Sequence, residues 1–326
     1  MEHSAAATND ALPLAEGIDR YVALFRDQPP SSGMAAMRLT GDLLADRFAG
    51  DHRPAVRHFD TAIAAPGREI GVRIHDPGRG GQRPAICYLH GGGFALGSIE
   101  SFDIATAALA EATGAVVASV HYRRLPETPY AGTQSDCDEG FAWLVRNTAS
   151  LDVDPARIIL AGDSAGALLA LAAAANARDM GTAVPAGLLL FYGTFTMDAG
   201  RAAYRTARDP LLSQPRIASY VSLFVDAGGL TAGPAPADRS DLAGLPPTHI
   251  VAAEFDPLCG EACELAERMA AAGIDISIRI APGMIHGFLR AAGVSAAARD
   301  ELAKAAAAIS PWLWPQDGRT LSKETV

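Results

Sequence analysis

The 326-residue sequence has only four cysteines, fewer basic than acidic residues and no long apolar run. Because its apolar runs fall well short of the ~20 residues that cross a bilayer, we expect no membrane-spanning helix. The net charge of −10, without a basic cluster or a basic patch interleaved with aromatic residues, argues against nucleic acid as a partner. The first residues are polar and acidic and do not resemble a secretory signal, so we predict a cytoplasmic protein.

The cysteines limit the metal chemistry that the chain can support. Cys259 and Cys263 are four residues apart and could present two thiolates on one helical turn. A metal site needs further ligands at short spacing, and no histidine or other cysteine lies near this pair in sequence. We therefore predict reduced thiols and no metal site.

The sequence has the composition and the alternation of segments that are typical of a globular α/β protein. Apolar residues make up 49% and charged residues 20% of the chain, which is long enough to bury a large core. Over residues 55–315, short apolar runs alternate with longer amphipathic stretches, a pattern typical of a mostly parallel sheet with helices on both faces. Two strand-like runs on either side of Pro66-Gly67 predict a hairpin where this region begins.

Two segments stand outside this alternation. Residues 12–50 predict two or three short helices broken at Pro29-Pro30, and residues 196–242 predict an inserted helix-and-loop element, called the insertion below. A simple crossover between parallel strands needs only about a dozen residues, so the insertion is longer than the connection of two strands requires. We predict that the two segments form a helical cap, that residues 1–11 are disordered and that residues 316–326 form a tail.

The stretch RIILAGDSAGALLAL places Ser164 between Gly162 and Gly166, in the spacing G-x-S-x-G. The apolar residues before the serine predict a buried strand, and the alanine- and leucine-rich run after it predicts a helix. Ser164 then lies on a tight strand-to-helix turn, where glycines relieve crowding and the free N–H groups of the helix point at the reaction centre. This context, more than the motif itself, predicts a nucleophile.

A serine hydroxyl needs a base to accept its proton, and the base needs an acid to orient it. In open α/β folds these groups follow the serine in the order acid, then histidine, at the ends of later strands. The predicted strand THIVAAEFDPL ends in Asp256, and ISIRIAPGMIHGF leads to a loop that carries His286. Glu254 is the rival for the acid, but Asp256 is nearer the strand end and precedes Pro257, so we predict Asp256.

A tetrahedral intermediate also needs N–H donors for its oxyanion. The sequence HGGGF, His90–Phe94, follows an earlier predicted strand, and its glycines let the backbone approach a substrate closely. We call this segment the donor loop. The predicted donors are the amides of Gly92, Gly93 and Ala165, the last being the residue after the nucleophile.

Together, HGGGF, GDSAG, Asp-Pro-Leu after a strand and HGF resemble the hormone-sensitive-lipase family of α/β-hydrolases, over roughly residues 80–310. The resemblance implies an α/β-hydrolase fold with a helical cap and no metal or organic cofactor. It also implies that His90 braces the donor loop. The roles that it carries over are nucleophile for Ser164, base and then acid for His286, orienting acid for Asp256, and oxyanion donors for Gly92, Gly93 and Ala165.

The chain departs from the family pattern at two places. The usual Tyr-Arg-Leu-Ala-Pro-Glu is Tyr-Arg-Arg-Leu-Pro-Glu here, at residues 122–127, and Asp-Pro-Leu is followed by Cys259-Gly260 instead of Arg-Asp. Neither change removes a catalytic group. We expect both to alter the packing of loops near the acid.

Several residues near these motifs have simpler interpretations. We interpret Asp163 as a structural hydrogen-bond partner at the turn and His121 as a packed or solvent-facing histidine. For three apolar residues of the N-terminal segment, lining of an acyl pocket and burial beneath a cap helix remain equal alternatives. They are Met34, Met37 and Phe48.

The combined signals predict a serine carboxylesterase that hydrolyses short- to medium-chain esters through an acyl-enzyme. An amidase or a lactonase would use the same three side chains. A ligand-binding protein on the same scaffold is the third alternative, although such proteins tend to lose the base that His286 retains here. The expected partners are a small-molecule ester and, as in similar proteins, a second copy in a homodimer.

Overall fold

The computed structural model of the chain describes residues 12–28, 31–78, 80–231, 233, 235 and 238–315. Three predictions lie outside the described residues: disorder at residues 1–11, the break at Pro29-Pro30 and the tail at residues 316–326. Parts of the predicted Pro/Gly/Ala stretch in the insertion also lie outside them.

One eight-stranded sheet forms the centre of the described structure, in the order β1-β2-β4-β3-β5-β6-β7-β8. β1 and β2 form the predicted hairpin, β2 also pairs antiparallel with β4, and every other neighbouring pair is parallel. The predicted mostly parallel sheet is therefore confirmed. The strands are β1 (Arg57–Ala65), β2 (Arg68–Asp76), β3 (Arg83–Leu89), β4 (Val116–His121), β5 (Val153–Asp163), β6 (Leu188–Phe191), β7 (Thr248–Ala253) and β8 (Ile276–Ala281).

The described helices cover the sheet. They are α1 (Ile18–Arg26), α2 (Met34–Ala49), α3 (Asp103–Thr113), α4 (Tyr130–Arg146), α5 (Ala165–Asp179), α6 (Ala202–Thr206), α7 (Gln214–Asp226), α8 (Cys259–Ala271) and α9 (Ala296–Leu313). α4 begins at Tyr130, whereas the sequence pattern predicts a start at Asp138. Its first turns bury polar side chains such as Gln134, which donates to the carbonyl of Leu169 at 3.3 Å, and these hide the apolar periodicity.

The central strands read as continuous apolar runs because both faces of the sheet are covered. In β3, Cys87 and Leu89 belong to one buried cluster, whereas Ile86 and Tyr88 belong to the other. The first cluster includes residues of α4, α5 and α8, and the second includes residues of α1, α2, α3 and α9. This two-sided core fixes the strand ends, and the parallel strands deliver their carboxyl ends to one edge of the sheet.

The N-terminal helices are tied to the chain near its other end. The amide of Ala15 donates to the carbonyl of Gly283 at 2.9 Å, and the Tyr21 hydroxyl donates to the carbonyl of Gly287 at 3.0 Å. On the other side, Phe224 of α7 packs on the rings of Phe94 and Tyr130 at 5.0 and 4.8 Å between centroids. Both segments thus reach the carboxyl edge of the sheet. Among the described helices, none combines the length and the apolar character that crossing a membrane requires.

Candidate active site

Ser164 occupies the sharp turn between β5 and α5, with φ 52° and ψ −120°. A non-glycine residue with positive φ is strained, and such strain persists only where the surroundings enforce it. A Cβ atom on Gly162 would lie 2.3 Å from the carbonyl oxygen of Gly166, and one on Gly166 would lie 2.0 Å from that of Leu89. Only glycine therefore fits on either side of the serine, which is why the motif reads G-x-S-x-G.

The structure brings Ser164, His286 and Asp256 together although they lie far apart in sequence. The His286 Nε2 atom is 2.9 Å from the Ser164 hydroxyl oxygen, and Nδ1 is 2.7 Å from Asp256 Oδ2. Asp256 is 5% exposed, and its other oxygen accepts from the amide of Leu258 at 2.8 Å. Glu254, the rival for the acid, instead accepts from the amide of Gly283 at 2.7 Å. Of these two carboxylates, Asp256 is the one that contacts the imidazole.

The charge environment of His286 favours its protonated form. Burial lowers the pKa of His286, but the carboxylates of Asp256, Asp209 and Asp163 together raise it by more, so the pKa lies above the ordinary value. An imidazole with a raised pKa is a stronger acceptor for the hydroxyl proton of Ser164. The arrangement therefore suits a group that takes a proton from the serine and then gives it away.

Asp209 of the insertion is a site residue that the sequence analysis missed. Its Oδ2 atom accepts from the backbone N–H of His286 at 2.6 Å. Its Oδ1 atom accepts from the amides of Leu211 and Leu212 at 2.8 and 2.9 Å. The available signal was a second Asp-Pro-Leu, at Asp209, which repeats the triplet at Asp256 and also lies between the serine and the histidine in sequence.

The donor loop lies beside the serine, and its backbone angles and close neighbours leave room only for glycine. Gly92 has φ 120° and Gly93 has φ 59°. A Cβ atom on Gly93 would lie 2.3 Å from the ring of Tyr220. Gly92 and Gly93 line the same cavity as Ser164, whereas Ala165 is fully buried as the first residue of α5. An amide in the first turn of a helix has no acceptor within the helix, so it is free to donate elsewhere.

His90 contacts the next residue of the donor loop from inside the protein. It is fully buried between the rings of Tyr122 and Phe102, with centroid distances of 4.2 and 5.6 Å. Burial lowers its pKa to about 3, so the ring is neutral, and Nδ1–H donates to the carbonyl of Gly91 at 2.9 Å. These contacts agree with the supporting role that the family resemblance implies.

Asp163 connects the serine turn to the donor loop. One of its carboxylate oxygens accepts from the Tyr88 hydroxyl at 2.7 Å and from the amide of Gly91 at 2.8 Å. Burial raises the pKa of Asp163 to about 6. Asp163 thus makes structural hydrogen bonds on both sides of the site, and its role there stays a prediction.

The altered stretch at residues 122–127 packs against the donor loop. The Arg124 guanidinium donates to the carbonyl of Gly97, and the amide of Leu125 donates to the carbonyl of Phe94 at 3.0 Å. We expected this departure to change the surroundings of the acid. These two bonds instead reach the donor loop and Gly97 just after it, because β4 is separated from β7 by three other strands in the sheet.

The second departure, Cys259-Gly260, begins α8 directly after the acid. Burial, and after it the neighbouring Cys263, raises the pKa of Cys259 to about 12, so the thiol stays protonated. Both cysteines are free. The next residue in α8, Glu261, is fully buried and accepts from the amides of Phe195 and Thr196 at 2.7 and 2.8 Å. This part of α8 therefore supports the start of the insertion.

One cluster away from the serine has the geometry to hold a metal ion. The ligand atoms of His58, His75 and Asp103 lie within 4.8 Å of one another. The Arg73 guanidinium already donates to Asp103 at 3.0 Å. Because this cation neutralises the carboxylate, the cluster needs no metal to balance its charge.

A cavity of about 370 Å³ opens above Ser164 and His286. Met37 of α2 lines it, whereas Met34 and Phe48 do not. Phe48 is fully buried against the rings of Tyr21 and Phe25, at 4.9 and 5.2 Å between centroids. Of these apolar residues, Met37 thus faces the cavity and Phe48 lies in the core. Further lining comes from α1, α2, the donor loop with the residues just after it, and the insertion, including Phe25, Leu44, Leu96, Leu211, Leu212 and Ile217.

Comparisons with known proteins show which family and which esterases this chain resembles. The model of a family described as "alpha/beta hydrolase fold" matches residues 86–290. Esterase LipI of Mycobacterium tuberculosis is 34% identical over 254 residues, covering 76% of this chain and 79% of that protein. Carboxylesterase NlhH of the same species is 35% identical over 265 residues, covering 78% and 83%. The structure of a hyperthermophilic esterase from the archaeon Pyrobaculum calidifontis superposes with a TM-score of 0.82 at 29% identity, covering 91% of this chain and 98% of that one.

Proposed function

The chain belongs to the α/β-hydrolase fold family, and from this premise we propose that it is a serine carboxylesterase. The hydrolase fold predicted from the sequence is confirmed. Relatives named esterase and carboxylesterase cover about three quarters of the chain and support a carboxylic ester hydrolase. The single observation that carries the mechanism is the hydrogen-bonded series Ser164, His286 and Asp256 beside the donor loop.

Acylation begins when the Ser164 oxygen attacks the carbonyl carbon of the ester and His286 Nε2 takes the hydroxyl proton. Asp256 stabilises the imidazolium that results. The negative charge on the carbonyl oxygen is met by the amides of Gly92, Gly93 and Ala165, each worth about 10²–10³ in rate. When the tetrahedral intermediate collapses, the bond to the alcohol oxygen breaks and His286 gives that oxygen its proton.

Deacylation repeats the sequence with water as the nucleophile. His286 takes a proton from the water as the water oxygen attacks the acyl carbon, and the same amides meet the new oxyanion. The bond to the Ser164 oxygen then breaks, and His286 returns the proton to it. The carboxylic acid leaves, and the site is restored without a metal or an organic cofactor taking part.

The substrate range follows from the enclosure of the cavity. Residues 12–50 and the insertion act as a cap over the carboxyl edge of the sheet. The cavity of about 370 Å³ is at the small end of ligand pockets, which span roughly 300–1,000 Å³. Its apolar lining suits acyl chains of short to medium length.

The substitution Ser164→Ala tests the nucleophile. We expect hydrolysis of 4-nitrophenyl butyrate to fall at least about 10³-fold, because the oxyanion donors and binding remain while the attacking atom is lost. A fluorophosphonate probe should label the wild type at Ser164 and leave the variant unlabelled. Ser219→Ala, an exposed serine of α7, is the matched control.

Wild-type turnover by the Ser164→Ala variant would rule out this mechanism. A panel of matched ester, lactone and anilide substrates then separates the esterase from the lactonase and amidase alternatives. We expect the ester to be cleaved faster than the anilide, because its alcohol leaving group needs less protonation by His286 than the anilide nitrogen does. A lactone cleaved faster than the open-chain ester would favour the lactonase instead.

Two further proposals concern the setting of the enzyme. We propose that it forms a homodimer, supported by the exposed Ile278 and Ile280 of the edge strand β8. Light scattering after size exclusion tests this.

We also propose that the enzyme acts in the cytoplasm, supported by its four free cysteines, since reducing compartments keep thiols unpaired. Cell fractionation tests that location.

A further inference from the structure

The same three residues, Asp-Pro-Leu, occur twice around the active site and adopt the same local arrangement. One triplet starts at Asp256, after β7, and the other at Asp209, between α6 and α7. In each, the Oδ1 atom of the aspartate accepts from the amide of the leucine two residues later, at 2.8 Å in both cases. An aspartate that accepts from the backbone two residues on forms an Asx turn, which fixes the direction of its carboxylate.

The second carboxylate oxygen of each aspartate is bonded to His286. Asp256 Oδ2 lies 2.7 Å from the ring atom Nδ1, and Asp209 Oδ2 accepts from the backbone N–H of the same residue at 2.6 Å. His286 is therefore held at its ring by one segment and at its main chain by another. Fixing the ring alone leaves the backbone free to move, so the two contacts have separate consequences.

We propose that Asp209 is a positioning residue, which fixes the main chain of His286 and whose negative charge stabilises the imidazolium formed during each step. This inference rests on the proposed esterase function. Asp209 contacts neither the serine nor the reacting atoms, so it acts through His286. Because Leu211 and Leu212 of the same turn line the cavity, one short segment joins the pocket wall to the base.

The electrostatic surroundings agree with this role. Burial, and after it the charge of Asp256, raises the pKa of Asp209, while His286 and the amide donors favour its ionised form. Asp209 in turn helps to raise the pKa of His286. The titratable and charged groups around His286 are the carboxylates of Asp256, Asp209 and Asp163, the rings of Tyr192 and Tyr21, and the guanidinium of Arg290.

The substitution Asp209→Asn removes the charge and keeps the size of the side chain. Its single amide oxygen can accept either from Leu211 and Leu212 or from the N–H of His286, because these donors use different oxygens of the aspartate. We expect kcat/KM for 4-nitrophenyl butyrate to fall about tenfold, with most of the loss in kcat. The acid limb of the kcat/KM profile should move down by several tenths of a pH unit to about one unit, since tenfold corresponds to one unit.

Glu254→Gln is the matched control. Glu254 also accepts from one loop amide, that of Gly283, at 2.7 Å, but it does not contact His286. We expect this control to keep the wild-type kcat and the wild-type acid limb. A role for Asp209 in loop stability alone would lower the melting temperature without moving the acid limb.

A second variant, Asp209→Glu, keeps the charge but displaces it, so the acid limb should stay in place while kcat falls. The inference is overturned if Asp209→Asn has the wild-type acid limb and kcat, or if Asp209→Glu matches the wild type in both. In either case the wild type would still cleave the ester and be labelled at Ser164. A wild type that does neither would instead overturn the proposed esterase.

Discussion

At the scale of single residues, Asp163 shows that burying an ionised carboxylate at the site costs free energy of folding. Its carboxylate joins the serine turn to the donor loop, yet its pKa is raised from 3.8 to about 6 by burial. Because the folded-state pKa lies above the unfolded value, protonation of Asp163 stabilises the folded state. This stabilisation is fully present below about pH 4 and is lost as the pH rises through about 6. A shift of this size corresponds to about 3 kcal/mol.

The substitution Asp163→Asn should remove this pH dependence. Both hydrogen bonds are accepted by one oxygen, Oδ1, so an amide oxygen can keep them. We expect the free energy of unfolding of the wild type to fall by about 2 kcal/mol relative to the variant between pH 4.5 and 7.5. Urea unfolding at the two pH values measures this difference, with the exposed Asp226→Asn as the control. Parallel pH dependence in wild type and variant would contradict the account of Asp163.

At the scale of secondary-structure elements, sequence patterns predicted the features that depend on residues close together in the chain. The strand, turn and helix around Ser164 follow from a short stretch, since glycines on both sides are dictated by contacts with neighbouring backbone. The start of α4 was missed because its buried face is polar at Gln134, which bonds to Tyr130 and Asp138 of the same helix and to the carbonyl of Leu169 on α5. Asp209 was missed because its role arises only where the insertion meets the His286 loop. Contacts between elements distant in sequence leave no periodic signal.

The contact of α2 with the residue after the donor loop and with the stretch 122–127 is one such case, and Arg38 makes it. Its guanidinium donates to the carbonyls of Ala95 and Leu125 at 2.8 and 2.7 Å and pairs with Glu127 at 2.8 Å. Arg38→Met keeps the stem but leaves the two carbonyls without this donor. We expect a loss of about 1–3 kcal/mol in the free energy of unfolding and a raised KM, because one wall of the cavity loosens.

Urea unfolding and ester kinetics measure both effects of Arg38→Met. Arg47→Met on the same helix is the matched control, since its exposed pair with Asp27 contributes at most about 1 kcal/mol. Equal effects of the two substitutions would mean that the Arg38 contact contributes no more to the free energy of unfolding than an exposed ion pair does.

At the scale of the whole molecule, the cavity is assembled from segments that are far apart in the sequence. α1 and α2, the donor loop, the insertion and the loop of His286 each supply part of its lining. The sequence could predict each segment and the order of Ser164, Asp256 and His286. It could not predict which apolar residues face the cavity, because that depends on how α2 is rotated against α3 and the residues that follow the donor loop.

Met37 lets this assembly be tested through acyl-chain length. It is half-buried and lines the cavity, so Met37→Ala enlarges the pocket at a smaller cost in stability than a fully buried residue would. With 4-nitrophenyl esters of acetate through laurate, we expect the wild type to prefer short to medium chains and the variant to shift its optimum by about two to four carbons. Leu39→Ala is the control, because Leu39 lies on the same helix but is 60% exposed. A wild type that prefers long, emulsified chains, or a Met37→Ala variant with an unchanged optimum, would show that these segments do not set the length of the substrate.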